Sequence, residues 1–450
     1  MVMQKIDISF KRIQQLALPA IIAGIAEPVL SSTDAAVVGN IAEFGTESLA
    51  AVGIVGSFIS TIIWILAQTR SAISAIISQN LGAGNLKNLT NFPAQAILFN
   101  VLLSFILLLS TYFFIEDILL FLRAEGKILE FSKDYYYIRI WGFPLTLFTF
   151  AIFGIFRGLQ NTFWPMIIAS IGAIINVGLD FIFVYGLEGF IEPMGVKGAA
   201  WASLIAQLVM ALLALLLLIT KTNISLKLKR KIHPEVKRLV AMSFNLFIRS
   251  VALNIALLMA VREATSLGKE FIAAHTIAIN LWLFSAFFID GYGAAGNILG
   301  GRLLGAKKYK DLWTLTKSVT LYNLFVSLLL IVVGTLLYYQ LGLIFTKDTL
   351  VLSTFYGMFF IVLISQPFNA LGFTLDAIFK GLGEMKFLRN VLVSATLFGF
   401  IPTLFICNYL DLKLKGIWIA IVVWIAFRAV ALILKFKSKF YPLAKSEMIN

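Results

Sequence analysis

PAIIAGIAEPVLSSTDAAVVGN, residues 19–40, is the stretch that decides the fold. It is apolar enough to enter a membrane, yet it carries Glu27, Pro28 and Asp34. A carboxylate in hydrocarbon is costly unless it faces a polar interior, which makes Asp34 a candidate functional residue. Glu27 and Asp34 are about two helical turns apart, so both can face the same way. The stretch therefore predicts a membrane-spanning helix with one polar face.

The composition of the chain extends this interpretation to the whole protein. Of its 450 residues, 60% are hydrophobic and 13% are charged, and the mean hydropathy is +0.92. Apolar segments of roughly 20–30 residues suit helical spans and are too long for the strands of a barrel. We predict an all-α integral membrane protein with about twelve transmembrane helices. Cys407 is the only cysteine, which excludes a disulfide framework and a thiolate metal cluster.

The distribution of charge predicts the topology. Basic residues outnumber acidic ones by 37 to 23, for a net charge of +14. They lie mostly in loops between spans, so we expect no nucleic-acid partner. The basic N-terminus, the linker at 221–238 and the C-terminal lysines fall on one side of the membrane, and the loops on the opposite side carry acidic residues. Both termini and the linker are therefore predicted to be cytoplasmic, in a cell membrane (plasma or inner).

The two halves of the chain repeat each other at one constant offset in the numbering. The matching stretches are 44–58 with 267–281, Leu81-Gly82-Ala83 with Leu304-Gly305-Ala306, Pro144 with Pro367, and Phe156-Arg157-Gly158-Leu159 with Phe379-Lys380-Gly381-Leu382. Four matches at one offset indicate an internal duplication. Each half holds about six spans, an even number, so both halves enter from the same side and the repeats are parallel.

This duplication predicts two six-helix bundles around a central cleft. We expect an N-terminal lobe at residues 1–220, a basic cytoplasmic linker at 221–238, a C-terminal lobe at 239–438 and a cytoplasmic tail at 439–450. Internal repetition of this kind is typical of alternating-access transporters.

Three polar residues inside the spans of the first half are candidates for an ion site. Asn176 and Asp180 lie four apart in the fifth span and share one helix face, and Asp34 lies in the first span. An amide oxygen and two carboxylates can hold Na⁺ or share a proton. A purely structural role for either aspartate stays open. The equivalent positions of the second half are Leu257 and Thr403, which confines this chemistry to the first half.

The second half carries charges of its own inside its spans. Arg249 and Asp290 either pair across two spans or line the cleft, and Asp376 and Lys380, four residues apart, can neutralise each other. The chain contains no GxxxxGK[ST], GxSxG or CxxC motif. We therefore predict a protein that is not an enzyme and that needs no cofactor besides a coupling ion.

Several of these stretches, in their order along the chain, resemble the multidrug and toxic compound extrusion (MATE) family. They are PAIIAGIAEPVLSSTDAAVVGN in the first span, SLAAVG in the second, SQNLGAGN after it, FRGLQNT after the fourth and INVGLDFIFVYG in the fifth. The resemblance covers nearly the whole chain. Within the family, NLFIRSVALN around Arg249 and FIDGYGAAGN around Asp290 are similar to the DNA-damage-inducible-F branch.

The resemblance implies roles for individual residues. Asp34 matches a family aspartate tied to cation or proton coupling, and Asn176 and Asp180 match its partners. Ser203 falls where a family threonine contributes an oxygen, and Tyr135 falls near a tyrosine that lines the same lobe. The expected coupling site is therefore Asp34, Asn176, Asp180 and Ser203, with H⁺ or Na⁺ as its ion.

The function implied is that of a secondary active multidrug exporter, which antiports organic, often cationic or amphipathic, compounds against H⁺ or Na⁺. We expect it to act as a monomer in the bilayer, bending at Pro19 or Pro28. Glu27 is either a further contributor or structural. The alternative is a lipid-linked oligosaccharide flippase of the same superfamily, for which Arg70 and Arg249 would supply basic groups.

Overall fold

The computed structural model describes residues 6–41 and 43–449, and for residues 26–32 it describes the backbone alone. These residues are almost entirely helical, and the one strand-like pairing described is a β-bridge between Leu187 and Ile191. The predicted all-α class is confirmed. The helices are α1 (Phe10–Gly39), α2 (Gly45–Leu66), α3 (Thr69–Gly82), α4 (Phe92–Tyr112), α5 (Ile115–Phe121), α6 (Gly126–Arg139), α7 (Gly142–Gly158), α8 (Phe163–Tyr185), α9 (Val196–Lys221), α10 (Pro234–Leu267), α11 (Lys269–Gly305), α12 (Tyr309–Leu336), α13 (Tyr338–Leu343), α14 (Thr349–Gly381), α15 (Met385–Ser394), α16 (Ile401–Tyr409) and α17 (Lys413–Ile449).

The helices supply ten or eleven candidate membrane spans in the described part of the chain, close to the expected number of about twelve. In the described part of the chain, ten helical segments are long and apolar enough to cross a membrane, counting α2 with α3 and α15 with α16 as single segments. Helices α6 and α7 form an eleventh candidate, bent by 46°. Pro144, in the first turn of α7, lacks the N–H that would continue the helical ladder from α6. Helix α1 has 30 residues, which is longer than the about 20 residues that are needed to cross a bilayer.

The chain forms two compact units. The N-unit comprises Ile22–Ile77 and Asn85–Ser243, and the C-unit comprises Met1–Ile21, Ser78–Gly84 and Phe244–Asn450. Helix α7 is the central helix of the N-unit, with most of its side chains buried between α4 and α9. The C-unit has one core around Trp418 and Trp424 and a second around Leu299 and Phe436.

Glycines at equivalent repeat positions allow two helices of the C-unit to touch through their backbones. A Cβ on Gly82 would overlap the carbonyl oxygen of Arg302, and a Cβ on Gly305 would overlap that of Gln79. Gln79 and Arg302 are themselves equivalent positions of the repeat, so the contact is reciprocal. Close approach through small residues is the usual way for helices to pack where lipid removes the hydrophobic drive between them.

A second pair of glycines makes the same kind of close contact with a backbone carbonyl, once in each unit. Gly158 lies against the Ser74 carbonyl in the N-unit, and Gly381 lies against the Asn297 carbonyl in the C-unit. Both the glycines and their partners are related by the offset of the sequence repeat. The sequence repeat is therefore also a repeat of helix contacts.

A π-helical turn at Ala395–Phe400 joins α15 to α16. It precedes Pro402, whose missing N–H leaves the carbonyl four residues earlier without its helical partner. The Thr396 hydroxyl donates to the Leu392 carbonyl (3.0 Å) and accepts the indole N–H of Trp424 (3.1 Å). The turn is thus fastened to α17 by a side-chain hydrogen bond.

The linker after α9 is attached to the N-terminal end of α4. The Gln95 amide nitrogen donates to the carbonyls of Lys229 (3.1 Å) and Lys231 (2.9 Å), and its oxygen accepts the backbone N–H of His233 (2.9 Å). Asn91 donates to the Lys231 carbonyl as well (2.9 Å). A segment without regular secondary structure therefore has a defined path over the N-unit.

Candidate functional site

Asp34, Ser203 and Asn176 form a buried hydrogen-bonded chain in the N-unit. The Ser203 hydroxyl donates to Oδ2 of Asp34 (3.0 Å) and accepts from the amide nitrogen of Asn176 (3.2 Å). These side chains come from α1, α9 and α8, and each residue is at most 5% exposed. The structure thus brings together three of the four residues expected at the coupling site through direct hydrogen bonds.

Asp180 completes this group one turn along α8 from Asn176. It is fully buried, and its carboxyl group lies within hydrogen-bonding reach of the carboxyl group of Asp34. No donor among the described residues serves either oxygen of Asp180 or Oδ1 of Asp34. Two carboxyl groups within this reach can share one proton.

Two further side chains of α6 face the same site. Tyr135 is 2% exposed and interacts electrostatically with Asp34 and Asp180. Arg139, one turn later, lies within hydrogen-bonding reach of the Tyr135 hydroxyl and close enough to Asp180 to interact with its charge. Sequence reasoning named Tyr135 and missed Arg139. Its spacing of four from the tyrosine was the available signal, because such residues share one helix face.

The predicted hinge residues lie on α1. Pro19 is half-buried within a helix that runs without interruption from Phe10 to Gly39. The side chains of Glu27 and Pro28 lie outside the described residues. Near the end of α1, the Tyr185 hydroxyl donates to the Val37 carbonyl (2.7 Å), which ties α8 to the turn that follows Asp34.

The charged residues expected in the second half meet in the C-unit. Arg249 of α10 donates from Nε (3.1 Å) and Nη2 (2.7 Å) to Oδ1 of Asp376 on α14. Lys380 contacts Oδ2 of the same carboxylate at 3.0 Å, which confirms the predicted Asp376–Lys380 pair. Arg249 therefore finds its carboxylate on α14, while Asp290 of α11 is exposed and interacts electrostatically with Lys380.

Arg428 of α17 is the member of this second group that sequence reasoning missed. It is 2% exposed, its Nη2 lies 3.6 Å from Oδ1 of Asp376, and its guanidinium group packs over the rings of Trp424 and Phe373. Arg428 lies near the middle of α17, and its charge inside an apolar span was the available signal, because such a side chain must face protein or water.

The two units thus differ in the chemistry that they can perform. The N-unit holds a carboxyl pair with an amide and a hydroxyl group, which can take up and release one small cation. The C-unit holds three cationic side chains around one buried carboxylate, which is a setting for negative charge. In the described part of the chain, no group of three or more His, Cys, Asp or Glu residues could hold a metal ion by itself.

Comparison with known proteins places the chain in one family. The MatE family profile matches it twice, at residues 19–182 and 242–405, and the starts of the two matches are related by the repeat offset. The DNA damage-inducible protein F of Escherichia coli K12 is 26% identical over 430 residues, which cover 94% of this chain and 91% of the relative. The Multidrug resistance protein NorM of Vibrio cholerae is 25% identical and covers 93% of each chain.

A plant relative is longer, and a solved structure supports the fold. Protein DETOXIFICATION 42 of Arabidopsis thaliana is 27% identical over a match that covers 68% of this chain. The match spans only 58% of the length of that relative. A crystal structure of a MATE protein in the bent conformation superposes with a TM-score of 0.89 at 23% identity, covering 97% of this chain and 96% of its own. The resemblance noted in the sequence is thereby confirmed, and the chain belongs to the MatE family of multidrug and toxic compound extrusion proteins.

Proposed function

We propose that this protein is a secondary active exporter, which moves amphipathic organic compounds out of the cell in exchange for a small cation. The relatives named as multidrug resistance proteins support the class of substrate. The duplicated six-helix organisation suits alternating access. We place the coupling site at Asp34, Asn176, Asp180 and Ser203 of the N-unit.

The observation that carries this proposal is the carboxyl pair of Asp34 and Asp180. Both groups are buried, and Asp34 already accepts the one hydroxyl hydrogen bond offered by Ser203. Uptake of one monovalent cation lowers the charge of the ionised pair from −2 to −1, and its release restores the second negative charge inside an apolar bundle. The site therefore has two states that differ strongly in electrostatic energy, as ion coupling requires.

We favour H⁺ over Na⁺ as the coupling ion. Direct approach of the two carboxyl groups suits one shared proton. Asn176 and Ser203 then act as hydrogen-bonding partners that orient the Asp34 carboxyl group.

A flippase for lipid-linked oligosaccharides is the second candidate function. The observation in its favour is the group of Arg249, Lys380 and Arg428, because a pyrophosphate-bearing lipid requires concentrated positive charge. Headgroup translocation with no dependence on an ion gradient would support this candidate.

Transport in proteoliposomes tests the proposal. Vesicles that contain the purified protein are loaded with a fluorescent organic cation. In one arm, acidification of the outside medium imposes an inwardly directed proton gradient (the pH jump), and in another, added Na⁺ imposes an inwardly directed Na⁺ gradient (the Na⁺ jump). We expect the pH jump to drive efflux and the Na⁺ jump at constant pH to have no effect. Efflux that follows Na⁺ alone would overturn the choice of ion, and efflux that follows neither gradient would overturn secondary transport.

A further inference from the structure

Three cationic side chains in the C-unit converge on a single buried carboxylate. Asp376 is 5% exposed and receives Arg249 at 2.7 Å, Lys380 at 3.0 Å and Arg428 at 3.6 Å. The three cations come from α10, α14 and α17, so the group forms only in the folded C-unit. We call these four residues the Asp376 cluster.

The Asp376 cluster has more positive than negative charge. Among the residues whose side chains the structure describes, Asp290 is the further acid that interacts with Lys380 and Arg428, and it is exposed. Within this described set, three cations and two carboxylates leave an excess of one positive charge. Uncompensated charge inside a membrane protein is expensive, so an anion from outside the cluster is expected to balance it at some stage of the cycle.

Arg428 offers a hydrogen bond that the protein does not use. Its Nη1 atom is buried and has no acceptor among the described residues, although the Arg428 side chain is 3% exposed. Buried donors in native proteins nearly always have partners. A guanidinium group whose Nη2 faces Asp376 while Nη1 lacks an acceptor can hold a second oxyanion in its planar fork.

We propose that the Asp376 cluster is a binding site for an oxyanion, the carboxylate or phosphate group of an amphipathic compound. Lys380, the most exposed of the three cations at 15% of its side chain, provides the first contact. Arg428 takes the second, and its guanidinium group is held in position by contacts with the rings of Trp424 and Phe373. The same rings suit an aromatic body behind the anion.

Binding of an oxyanion to the Asp376 cluster needs no ion gradient. Only the further conclusion that such compounds are exported rests on the proposed function. Such binding extends the expected range of compounds from cations to anions. It also gives the C-unit a task different from that of the N-unit, where the carboxyl pair of Asp34 and Asp180 attracts cations. A structural role for the cluster would instead require its charges to balance internally.

Equilibrium binding with matched probes tests the inference. Pyrenebutyrate and pyrenebutylamine share one aromatic body and differ in charge, and fluorescence anisotropy with the purified full-length protein in detergent measures both. We expect pyrenebutyrate binding to weaken about tenfold or more in Lys380→Met and Arg428→Gln, the effect of losing a hydrogen bond to a charged group. Pyrenebutylamine should bind these variants as it binds the wild type.

Control variants separate site chemistry from fold. Lys317→Met removes an exposed lysine that packs over Trp313 in the same unit, and it should leave both probes unaffected. Lys380→Arg keeps the charge and should retain pyrenebutyrate binding. Equal affinity for pyrenebutyrate in the wild type, Lys380→Met and Arg428→Gln would overturn the proposal, as would equal weakening of both probes.

Competition identifies the source of the oxyanion. Displacement of pyrenebutyrate by inorganic phosphate or acetate indicates a free anion, and displacement only by phosphatidylglycerol micelles indicates a lipid headgroup. Asp34→Asn should bind pyrenebutyrate normally even though it abolishes antiport. A failure of exchange transport therefore leaves this inference standing, and a failure of anion binding leaves the exporter proposal standing.

Discussion

Gly82 and Gly305 lie against each other's helices in a reciprocal contact. The carbonyl oxygen beside Gly82 belongs to Arg302, and the one beside Gly305 belongs to Gln79, so neither position has room for a Cβ. Arg302 and Gln79 occupy equivalent positions of the internal repeat, as Gly82 and Gly305 do. The ends of α3 and α11 therefore meet as a pair related by the internal repeat.

Gly82→Ala is expected to destabilise the protein. The added methyl group would overlap a backbone oxygen rather than a flexible side chain, so the helices must separate. Overpacking of this kind costs about 1–3 kcal/mol. A thermal unfolding scan of the purified protein should show a melting temperature several degrees lower, with Gly305→Ala giving a similar loss.

Gly53→Ala is the matched control, because Gly53 lies within α2 and a Cβ there would meet no atom within 4 Å. Its melting temperature should stay the same or rise slightly, since alanine favours helix more than glycine does. Equal losses for Gly82→Ala and Gly53→Ala would contradict the close crossing.

Asp34→Asn is expected to abolish ion-driven export while the protein still folds. The amide keeps the size of the side chain and can still accept from Ser203, but it cannot exchange a proton. Efflux in proteoliposomes should fall to the level of protein-free vesicles, and the size-exclusion profile should not change. Undiminished pH-driven efflux would remove Asp34 from the mechanism.

Ser203→Ala should give a graded effect instead. The substitution removes the hydroxyl group that joins Asn176 to Asp34 but leaves both carboxyl groups of the site in place. Each of these two buried hydrogen bonds is worth about 1 kcal/mol, so export should slow by roughly thirtyfold. A complete loss of transport would show that the hydroxyl group does more than orient Asp34.

Asp376→Asn is expected to destabilise the C-unit strongly. It removes the carboxylate that three cations share, and the removal of one member from a buried ion group costs about 3–5 kcal/mol. The melting temperature should fall by about 10 °C. The double variant Asp376→Asn with Lys380→Met should recover part of this loss, and Asp117→Asn at an exposed site should cause none. The absence of any difference between Asp376→Asn and Asp117→Asn would disprove the shared role.

Gln95→Ala is expected to release the linker from α4. The side chain makes three hydrogen bonds to the backbone of residues 229–233. Lys229, Arg230 and Lys231 are already exposed, so the loss of these bonds should free the backbone there to enter the cleft of trypsin and speed cleavage about tenfold. Gln340→Ala, at an exposed position of α13, serves as the control. Cleavage at wild-type speed in Gln95→Ala would show that other contacts hold the linker.

The fold and the first site were largely predictable from local patterns. The constant offset between the two halves can be read directly from the sequence, and helix periodicity places Asn176 and Asp180 on one face. A charge inside an apolar run marks Asp34 without any knowledge of its partners. Ser203 and Tyr135 carry no such mark, because serine and tyrosine are common in spans, and only the family resemblance indicated them.

The second site was less predictable because its members meet across distant helices. Arg249 and Asp376 are 127 residues apart, and periodicity within one helix gives no information about such pairing. Arg139 is the last residue of α6, where arginine usually meets lipid headgroups, whereas Arg428 lies near the middle of α17. Their inward orientation depends on how neighbouring helices pack, which only the assembled structure reveals.

In the proposed exporter, the confinement of the paired acids to one half of the duplicated chain would limit how far export can run uphill. With Leu257 and Thr403 at the equivalent positions, such an exporter would have one ion-exchange centre where an undiverged duplicate would have two. One proton per cycle carries about 1.4 kcal/mol for each pH unit. A neutral compound can then be concentrated about tenfold per pH unit, with a further gain from the membrane potential, since each exchanged charge gains about 2.3 kcal/mol per 100 mV. The steady-state ratio of compound across the membrane therefore reports the stoichiometry directly.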